Sequence, residues 1–318
     1  MTPATSILEK PMRSADQIAG ELAEHVVSPA AVIRCNEPLA KHTTLRVGGP
    51  ADVYAEPASE EDLAGIMKFC NGHDVPFFVI GRGSNLLVRD GGFRGVVICL
   101  AQAGFSRIEV AGERLVCGAG AKLKNVAIEA RRHGLSGMEF LEGIPGSVGG
   151  ALRMNAGAMG GATFEVVESV RLMDFDGNTR ELTPQEMSVE YRGCGALKNH
   201  IALGAVFKGL PDSPESVAQR MSAFSRKRWT TQPAAPSAGC MFKNPDTIPA
   251  GKLIDELGLK GTRVGGAMVS MEHGNFLVND GNATARDVLE LIALLKRRAK
   301  EERGIELQTE VEIIGEES

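Results

Sequence analysis

Two glycine-rich loops, each at the end of an apolar segment, constrain the fold more than any other feature of the sequence. The first is VIGRGSNLL (79–87), and the second is EGIPGSVGGA (142–151), which Asn155 and Gly157 follow. Glycines let backbone N–H groups turn towards an anion and approach it closely. Neither loop matches a Walker A motif, and neither has the third glycine and following helix of a Rossmann fingerprint. The pair therefore indicates either a diphosphate-containing ligand or two tight turns in a β-rich domain.

The length and the net charge of the chain limit the classes of protein to which it can belong. The chain has 318 residues, which suggests two or three domains, and its formal net charge of -5 argues against a general nucleic-acid binder. The N-terminus lacks a signal-peptide core, and the longest apolar runs are far below the roughly 18 residues of a membrane span. The six cysteines show no zinc-binding spacing. We therefore expect a reduced, cytoplasmic protein with no metal site, no membrane association and no nucleic-acid partner.

Hydrophobic periodicity predicts a strand-rich first part and a smaller α+β part after Pro211. The predicted helices lie at 14–27, after Ser59, and at 121–133, 214–229, 251–257 and 285–303. The predicted strands lie at 51–57, 75–81, 95–100 and 201–210 and near 267–278 and 305–314, with hairpins at 107–120 and 166–183.

Several segments, taken together, resemble one known family. They are NEPLAKHTTLRVGGPADVY (36–54), GRGSNLLVRDGGFRGVVI (81–98), GLSGMEFLEGIPGSVGGALRMNAGAMG (134–160), YRGC (191–194), QPAAPSAGCMFKNP (232–245), AGKLIDELGLKG (250–261), VGGAMVSMEHGNFLVN (264–279) and GIELQTEVEIIG (304–315). Their order and spacing are similar to those of the type II UDP-N-acetylenolpyruvoylglucosamine reductases. The resemblance covers nearly the whole chain after about residue 36, so it is far more specific than any single motif.

The resemblance implies an α+β fold in which a two-lobed FAD-binding domain of the vanillyl-alcohol-oxidase (PCMH) type spans 36–210. Its lobes would cover about 36–100 and 101–210, after an N-terminal extension at 1–35. A smaller C-terminal α+β substrate-binding domain would span 211–318. The family's activity is the FAD-mediated, NADPH-dependent reduction of UDP-N-acetylglucosamine enolpyruvate to UDP-N-acetylmuramate, a step in peptidoglycan-precursor synthesis. We expect a monomer.

By the same resemblance, the two glycine loops hold the pyrophosphate of FAD. The residues assigned to FAD binding are Gly81, Gly83, Ser84, Asn85, Leu86, Ile144, Pro145, Gly146, Ser147, Gly149, Gly150, Asn155 and Gly157.

Cys240 aligns with the proton donor of the family, a position that is usually serine. The exchange is chemically tolerable, because a free thiol has a pKa of roughly 8.5 and is mostly protonated at neutral pH. A neighbouring Lys243 or Arg192 would lower that pKa and favour a thiolate, which cannot donate a proton. Without the resemblance, a packed core thiol would be the favoured interpretation of Cys240.

Arg192 and Glu310 align with the other two catalytic positions of the family. A planar guanidinium can grip a carboxylate at two points, although a surface ion pair is the commoner fate of an arginine. In the alternating segment IELQTEVEIIG (305–315), Glu310 is in phase with Glu306, Gln308 and Glu312, so the alternation alone places it on a solvated face. The resemblance instead implies a general acid/base or a partner of the arginine.

The residues assigned to substrate binding are Tyr191, Arg228, Gln232, Lys243 and Asn244. Lys243 is a compact cation that suits a phosphate, whereas Arg228 is equally well explained as a basic helix end. Two rival functions stay open at this point. One is an oxidase on the same flavin fold, and the other is a flavin- or nucleotide-binding protein without activity.

Overall fold

The computed structural model describes residues 13–317. Its α-helices are α1 (Ala15–Ala23), α2 (Glu60–Gly72), α3 (Leu123–Arg132), α4 (Val148–Met154), α5 (Pro214–Thr231), α6 (Ala250–Glu256) and α7 (Ala285–Arg303). The strands of the first half are β1 (Val32–Pro38), β2 (Pro50–Glu56), β3 (Phe77–Ile80), β4 (Leu86–Val88), β5 (Phe93–Cys99), β6 (Ile108–Ala111), β7 (Arg114–Gly118), β8 (Leu135–Ser136), β9 (Gly157–Ala158) and β10 (Gly161–Ala162). Those of the second half are β11 (Val167–Asp174), β12 (Thr179–Leu182), β13 (Val189–Glu190), β14 (Gly193–Cys194), β15 (His200–Lys208), β16 (Leu210–Pro211), β17 (Ser237–Cys240), β18 (Arg263–Val264), β19 (Ala267–Val269), β20 (Phe276–Asn279) and β21 (Glu312–Ile314).

The first sheet has the strand order β1-β2-β5-β3. β1 is antiparallel to β2, whereas β2, β5 and β3 run parallel. The central strand β5 is apolar because both of its faces are covered. Val96 and Ile98 point into the main core, while Val97 belongs to a smaller cluster on the opposite face.

The second sheet is antiparallel, in the order β12-β11-β15-β7-β6, and contains both predicted hairpins. One hydrophobic core lies between this sheet, the first sheet and α1, α2 and α3. Ile18 and Leu22 of α1 are part of that core, so the segment just before the family-like region is packed on the same lobe. The domain boundaries proposed from the sequence stay a prediction.

The C-terminal sheet has the order β17-β20-β19-β18 and packs with α6 and α7 around a second core. That core also contains Leu45, Val47 and Leu87 from the first lobe. In addition, the Asp90 carboxylate accepts hydrogen bonds of 2.8 and 2.9 Å from the first two backbone N–H groups of α7. The C-terminal part is therefore anchored directly on the strands next to the first glycine loop.

The predicted strand at 305–314 is wrong over most of its length. Only its last part, β21, is a strand, and it pairs in parallel with β4 rather than with the C-terminal sheet. A single bridge between Phe242 and Thr309 connects the preceding residues to the chain after β17. No helix within residues 13–317 is long and apolar enough to cross a membrane.

Asp62 is a fully buried carboxylate that holds the start of α2 in place. Its two oxygens accept hydrogen bonds from the backbone N–H groups of Val27, Ser28, Ala58 and Ser59, at 2.9 to 3.2 Å. Burial alone raises the pKa of Asp62, but these four donors together hold it below the ordinary value. The carboxylate thus ties the chain before β1 to α2.

We predict that Asp62→Ala lowers the free energy of unfolding by about 3 kcal/mol, because buried N–H groups lose their acceptor. Asp62→Asn should cost less, since one amide oxygen can still accept. A depressed pKa stabilises the fold above the ordinary pKa of the group, so the wild-type advantage over Asp62→Asn should shrink as the pH falls through the folded-state value. Urea unfolding at several pH values measures both effects. Glu61→Ala, an exposed change in the same helical turn, is the control and should cost about 0.5 kcal/mol or less.

Candidate active site

A cavity of about 1560 Å³ lies between the glycine loops and the C-terminal sheet. It exceeds the roughly 300–1,000 Å³ of a typical small-molecule pocket, so it has room for a dinucleotide and a second ligand. Twelve of the thirteen residues predicted to bind FAD line it. They are Gly81, Gly83, Ser84, Asn85, Leu86, Ile144, Pro145, Gly146, Ser147, Gly149, Gly150 and Gly157.

The two glycine loops lie against each other at this wall. A Cβ atom on Gly81 would lie 2.7 Å from Ser147 Oγ in the other loop, and one on Gly146 would lie 3.9 Å from Ser84 Oγ. Gly83 has a φ of +59°, and a Cβ atom there would lie 2.3 Å from the carbonyl oxygen of His42. Side chains at Gly81 and Gly83 would therefore clash with Ser147 and with the backbone of His42, so glycine is needed at both positions for the loop to pack this closely.

The donor set of this wall fits the pyrophosphate of FAD. Within residues 13–317, the backbone N–H groups of Gly83, Ser84 and Asn85 have no hydrogen-bond acceptor. The cationic residues around the cavity are Lys41, Arg46, Arg82, Lys122, Arg153, Arg192, Lys198 and Arg228, and the acidic ones are Glu56, Glu310 and Glu312. This local excess of positive charge, in a chain whose net charge is -5, suits anionic ligands.

Asn155 is the predicted cofactor residue that does not line the cavity. It ends α4 in the left-handed conformation, with a φ of +39°. Its side chain donates to the Glu190 carbonyl oxygen at 3.2 Å and accepts from the Phe164 backbone N–H at 3.3 Å. The structure thus uses this amide to connect α4 to its neighbours. The helix itself begins at Val148, inside the second glycine loop, and has no counterpart among the predicted elements.

Cys240 ends β17 at the cavity wall, opposite Phe276 of β20. The next two residues are held by Asn275, whose side chain is buried. Asn275 accepts from the Phe242 N–H at 2.9 Å, donates to the Phe242 carbonyl oxygen at 2.8 Å, and accepts on its own backbone oxygen from Met241 at 2.8 Å. These bonds hold the backbone that carries the thiol in one conformation.

The thiol of Cys240 is neutral at physiological pH. Burial, followed by the negative charge of Glu310, raises its pKa to about 11. Arg192 acts in the opposite direction, as expected from the sequence, but the effect of burial is larger. The neighbouring cation therefore does not convert the thiol to a thiolate, and the group retains its proton.

Arg192 and Glu310 form an ion pair at the same cavity. The guanidinium Nε donates to Glu310 Oε1 at 2.8 Å, and the two side chains are only 23% and 12% exposed. Arg192 lies in the turn between β13 and β14 with a φ of +59°, a region that non-glycine residues rarely occupy. Its guanidinium carbon lies 5.0 Å from the ring centroid of Tyr191. Backbone strain at a ligand-facing residue is typical of functional sites.

Glu310 is not on the solvated face that the alternation predicted. Its backbone N–H donates to the Met241 carbonyl oxygen at 2.8 Å, and its carbonyl oxygen accepts from Asn85 Nδ2 at 3.0 Å. Burial raises the pKa of Glu310, whereas Arg192 and Lys243 act to lower it. The alternation failed because residues 305–311 do not form a continuous strand with one exposed face.

The five predicted substrate residues divide into two groups. Arg228 and Gln232 line the cavity, whereas Tyr191, Lys243 and Asn244 do not. Tyr191 is 60% exposed, and Asn244 accepts a hydrogen bond of 3.1 Å from the first N–H of α6, so its side chain caps that helix. Lys243 is close enough for its charge to act on the buried glutamate, although it does not form the wall.

Several residues at the wall were missed from the sequence. Arg82 lies inside the first glycine loop, and its position between two glycines was a usable signal. Nothing in the sequence around Arg46 or Arg153 indicates that these side chains would reach the cavity. Trp229 follows Arg228 directly and also lines the cavity.

The site brings together a neutral thiol, a paired guanidinium and two loops suited to a diphosphate. Within residues 13–317, no group of three His, Cys, Asp or Glu side chains could hold a metal ion. The arrangement can donate a proton, bind a carboxylate and bind a dinucleotide in one cavity.

Comparisons with known proteins agree with this geometry. Residues 51–183 match the model of an FAD binding domain, and residues 232–314 match the C-terminal domain of UDP-N-acetylenolpyruvoylglucosamine reductase. The reductase of Syntrophomonas wolfei is 43% identical, over 91% of this chain and 97% of that protein, and the reductase of Clostridium novyi is 42% identical, over 90% and 93%. The crystal structure of UDP-N-acetylenolpyruvylglucosamine reductase from Thermus caldophilus superposes with a TM-score of 0.78 at 41% identity, covering 90% of this chain and 99% of that one. The α+β fold with an FAD-binding domain is thus confirmed, and the chain belongs to the UDP-N-acetylenolpyruvoylglucosamine reductase family.

Proposed function

We propose that this protein is an FAD-dependent oxidoreductase that reduces UDP-N-acetylglucosamine enolpyruvate to UDP-N-acetylmuramate with NADPH, a step in peptidoglycan-precursor synthesis. The observation that carries the proposal is the meeting of Cys240, Arg192 and Glu310 with both glycine loops at one cavity. The family assignment supports the same reaction.

Reduction of an enol ether needs a hydride at one carbon and a proton at the other. Bound FAD supplies the hydride, since no side chain can act as a hydride donor. The residues that would hold FAD are those of the two glycine loops, with Ser84, Ser147 and the free N–H groups of the first loop as donors. The remaining chemistry belongs to side chains of this chain.

Cys240 is proposed as the proton donor. Its raised pKa keeps the sulfur protonated at neutral pH, so the proton is available for the carbon that becomes electron-rich. The hydrogen bonds of Asn275 to the neighbouring backbone orient the strand, and therefore the thiol, towards the cavity. The thiolate left by the transfer would be stabilised by Arg192, whose charge lowers the thiol pKa.

Arg192 is proposed to bind the carboxylate of the enolpyruvyl group and to stabilise the negative charge that develops there. Its Nε is already occupied by Glu310, which leaves the terminal nitrogens of the guanidinium for the substrate. Glu310 thereby orients the arginine, and its partial burial strengthens the pairing. Arg228 and Gln232 are proposed contacts of the UDP diphosphate, because both lie at the wall.

The rival functions are less consistent with the chain. The C-terminal family match covers the segment that carries both Cys240 and Glu310, which an oxidase on a related flavin fold would not need. A binding protein without activity would not need a neutral thiol beside a paired arginine. The monomeric state, the cytoplasmic location and the roles of Tyr191, Lys243 and Asn244 stay predictions.

The proposed reaction predicts two spectral changes. Purified protein should be yellow, and NADPH should bleach the flavin absorbance under anaerobic conditions. UDP-N-acetylglucosamine enolpyruvate should then restore the absorbance, whereas UDP-N-acetylglucosamine, which lacks the double bond, should not. A colourless protein that does not take up FAD, or a reduced flavin that the enolpyruvyl substrate leaves bleached, would contradict the proposal.

Variants of Cys240 test the proton-donor role. Cys240→Ser should keep turnover, because a hydroxyl can replace the thiol. Cys240→Ala should still allow NADPH to bleach the flavin but lower product formation roughly 100- to 10,000-fold, the usual worth of a general acid. Cys35→Ala, a half-buried cysteine outside the cavity, is the matched control and should form product at the wild-type rate. Unchanged product formation by Cys240→Ala would remove the role.

The pH dependence of alkylation tests the raised pKa of the thiol. Only the thiolate reacts with iodoacetamide, so the rate at Cys240 should rise roughly tenfold for each pH unit until the pH approaches about 11. Glu310→Gln should move this curve to lower pH, because the charge of Glu310 raises the pKa. Residue-resolved mass spectrometry of the FAD-loaded protein measures the rate. A plateau at the pH of an ordinary thiol, roughly 8.5, would show that the site does not raise the pKa.

A further inference from the structure

Trp229 is the single tryptophan of the chain, and it lies at the mouth of the cavity with 68% of its surface exposed. Tryptophan is highly buried on average in folded proteins. This indole is in the last turn of α5 and is not part of the apolar groups packed against the described cores. An exposed flat ring at a ligand cavity is available for stacking on a ligand.

The residues beside the indole supply complementary chemistry. Arg228, the preceding residue, also lines the cavity, and burial lowers its pKa. Within residues 13–317, its guanidinium has no salt bridge or hydrogen bond, and Glu142 acts on it only through its charge, so the guanidinium can still bind an anion. An exposed aromatic ring and a guanidinium that line the same cavity suit a nucleotide, whose base can stack while its phosphates pair with the cation.

The course of the chain along the cavity indicates which nucleotide would bind beside Trp229. Trp229, Gln232 and every residue from 233 to 240 line the cavity, so the wall follows the chain from the indole to the thiol of Cys240, with only residues 230 and 231 outside it. A ligand whose reacting carbon lies at the thiol can follow this segment outwards. In the sugar nucleotide, the uracil ring is the end farthest from the enolpyruvyl group, with the diphosphate between them.

We propose that Trp229 stacks on the uracil base of the sugar nucleotide and that it determines how tightly this substrate binds. The inference rests on the proposed function, which names the substrate but assigns no residue to its base. Stacking on one aromatic face contributes binding energy without base-specific hydrogen bonds. The effect should therefore appear in KM for the sugar nucleotide and not in kcat.

Steady-state kinetics of the FAD-loaded enzyme tests the proposal. Trp229→Ala should raise KM for the sugar nucleotide roughly 5- to 150-fold, the range for loss of one base-stacking contact, with kcat and KM for NADPH unchanged. Trp229→Phe should restore most of the affinity. Leu210→Ala, which removes a side chain that is 66% exposed and outside the cavity, is the control and should leave every constant unchanged. An unchanged KM for the sugar nucleotide in Trp229→Ala, or an increase only in KM for NADPH, overturns the proposal.

A binding measurement separates this inference from the proposed reaction. Because Trp229 is the sole tryptophan, its emission reports on this position alone. UDP should quench the emission and NADP⁺ should not, and UDP should bind more weakly to Trp229→Ala when binding is followed by calorimetry. UDP binding that leaves both the emission and the variant's affinity unchanged overturns the stacking, even if the enzyme forms product. An enzyme that forms no product would contradict the proposed function, while quenching by UDP would still support the stacking.

Discussion

The parallel pairing of β21 with β4 is the interaction on which the site depends. β4 begins at Leu86, at the end of the first glycine loop, so the pairing brings the C-terminal segment to the side of the cavity that this loop lines. The Asn85 backbone oxygen accepts from Glu312 N–H at 3.1 Å, and the Asn85 side chain donates to the Glu310 carbonyl oxygen at 3.0 Å. These contacts place the carboxylate beside Arg192.

Burial then changes the chemistry of the groups that this pairing assembles. Removal from water disfavours the charged form of an acid, which raises the pKa of both Cys240 and Glu310. The thiol keeps its proton because desolvation exceeds the attraction of the arginine. The glutamate has a guanidinium partner at 2.8 Å, which opposes the same desolvation. One cation therefore acts on both acids: it forms an ion pair with Glu310, and it lowers the pKa of Cys240 without outweighing the effect of burial.

The elements that could be predicted have signals within a few residues of each other. Ser59 and Thr284 begin α2 and α7 through capping boxes, and Gly304 ends α7 in the left-handed conformation. Such signals are reliable because their hydrogen bonds join residues about three positions apart. The alternation of polar and apolar residues wrongly placed Glu310 on a solvated face. The residues before β21 do not form a regular strand, because they run beside the chain after β17 and beside β4. Asn155 was assigned to the cofactor by resemblance; its side-chain amide bonds to Glu190 and Phe164, and it does not line the cavity.

The sequence by itself determined the family, the two glycine loops and the identity of the three catalytic candidates, because residue types and their spacing along the chain are a one-dimensional property. Only the tertiary structure decided that these groups share one cavity. Arg192 and Glu310 are 118 positions apart, and Asn85 and Glu310 are 225 apart, so no local pattern specifies their contact. The protonation state of Cys240 depends on burial by those distant segments. The pKa of a thiol depends on its surroundings, and only the fold supplies those surroundings.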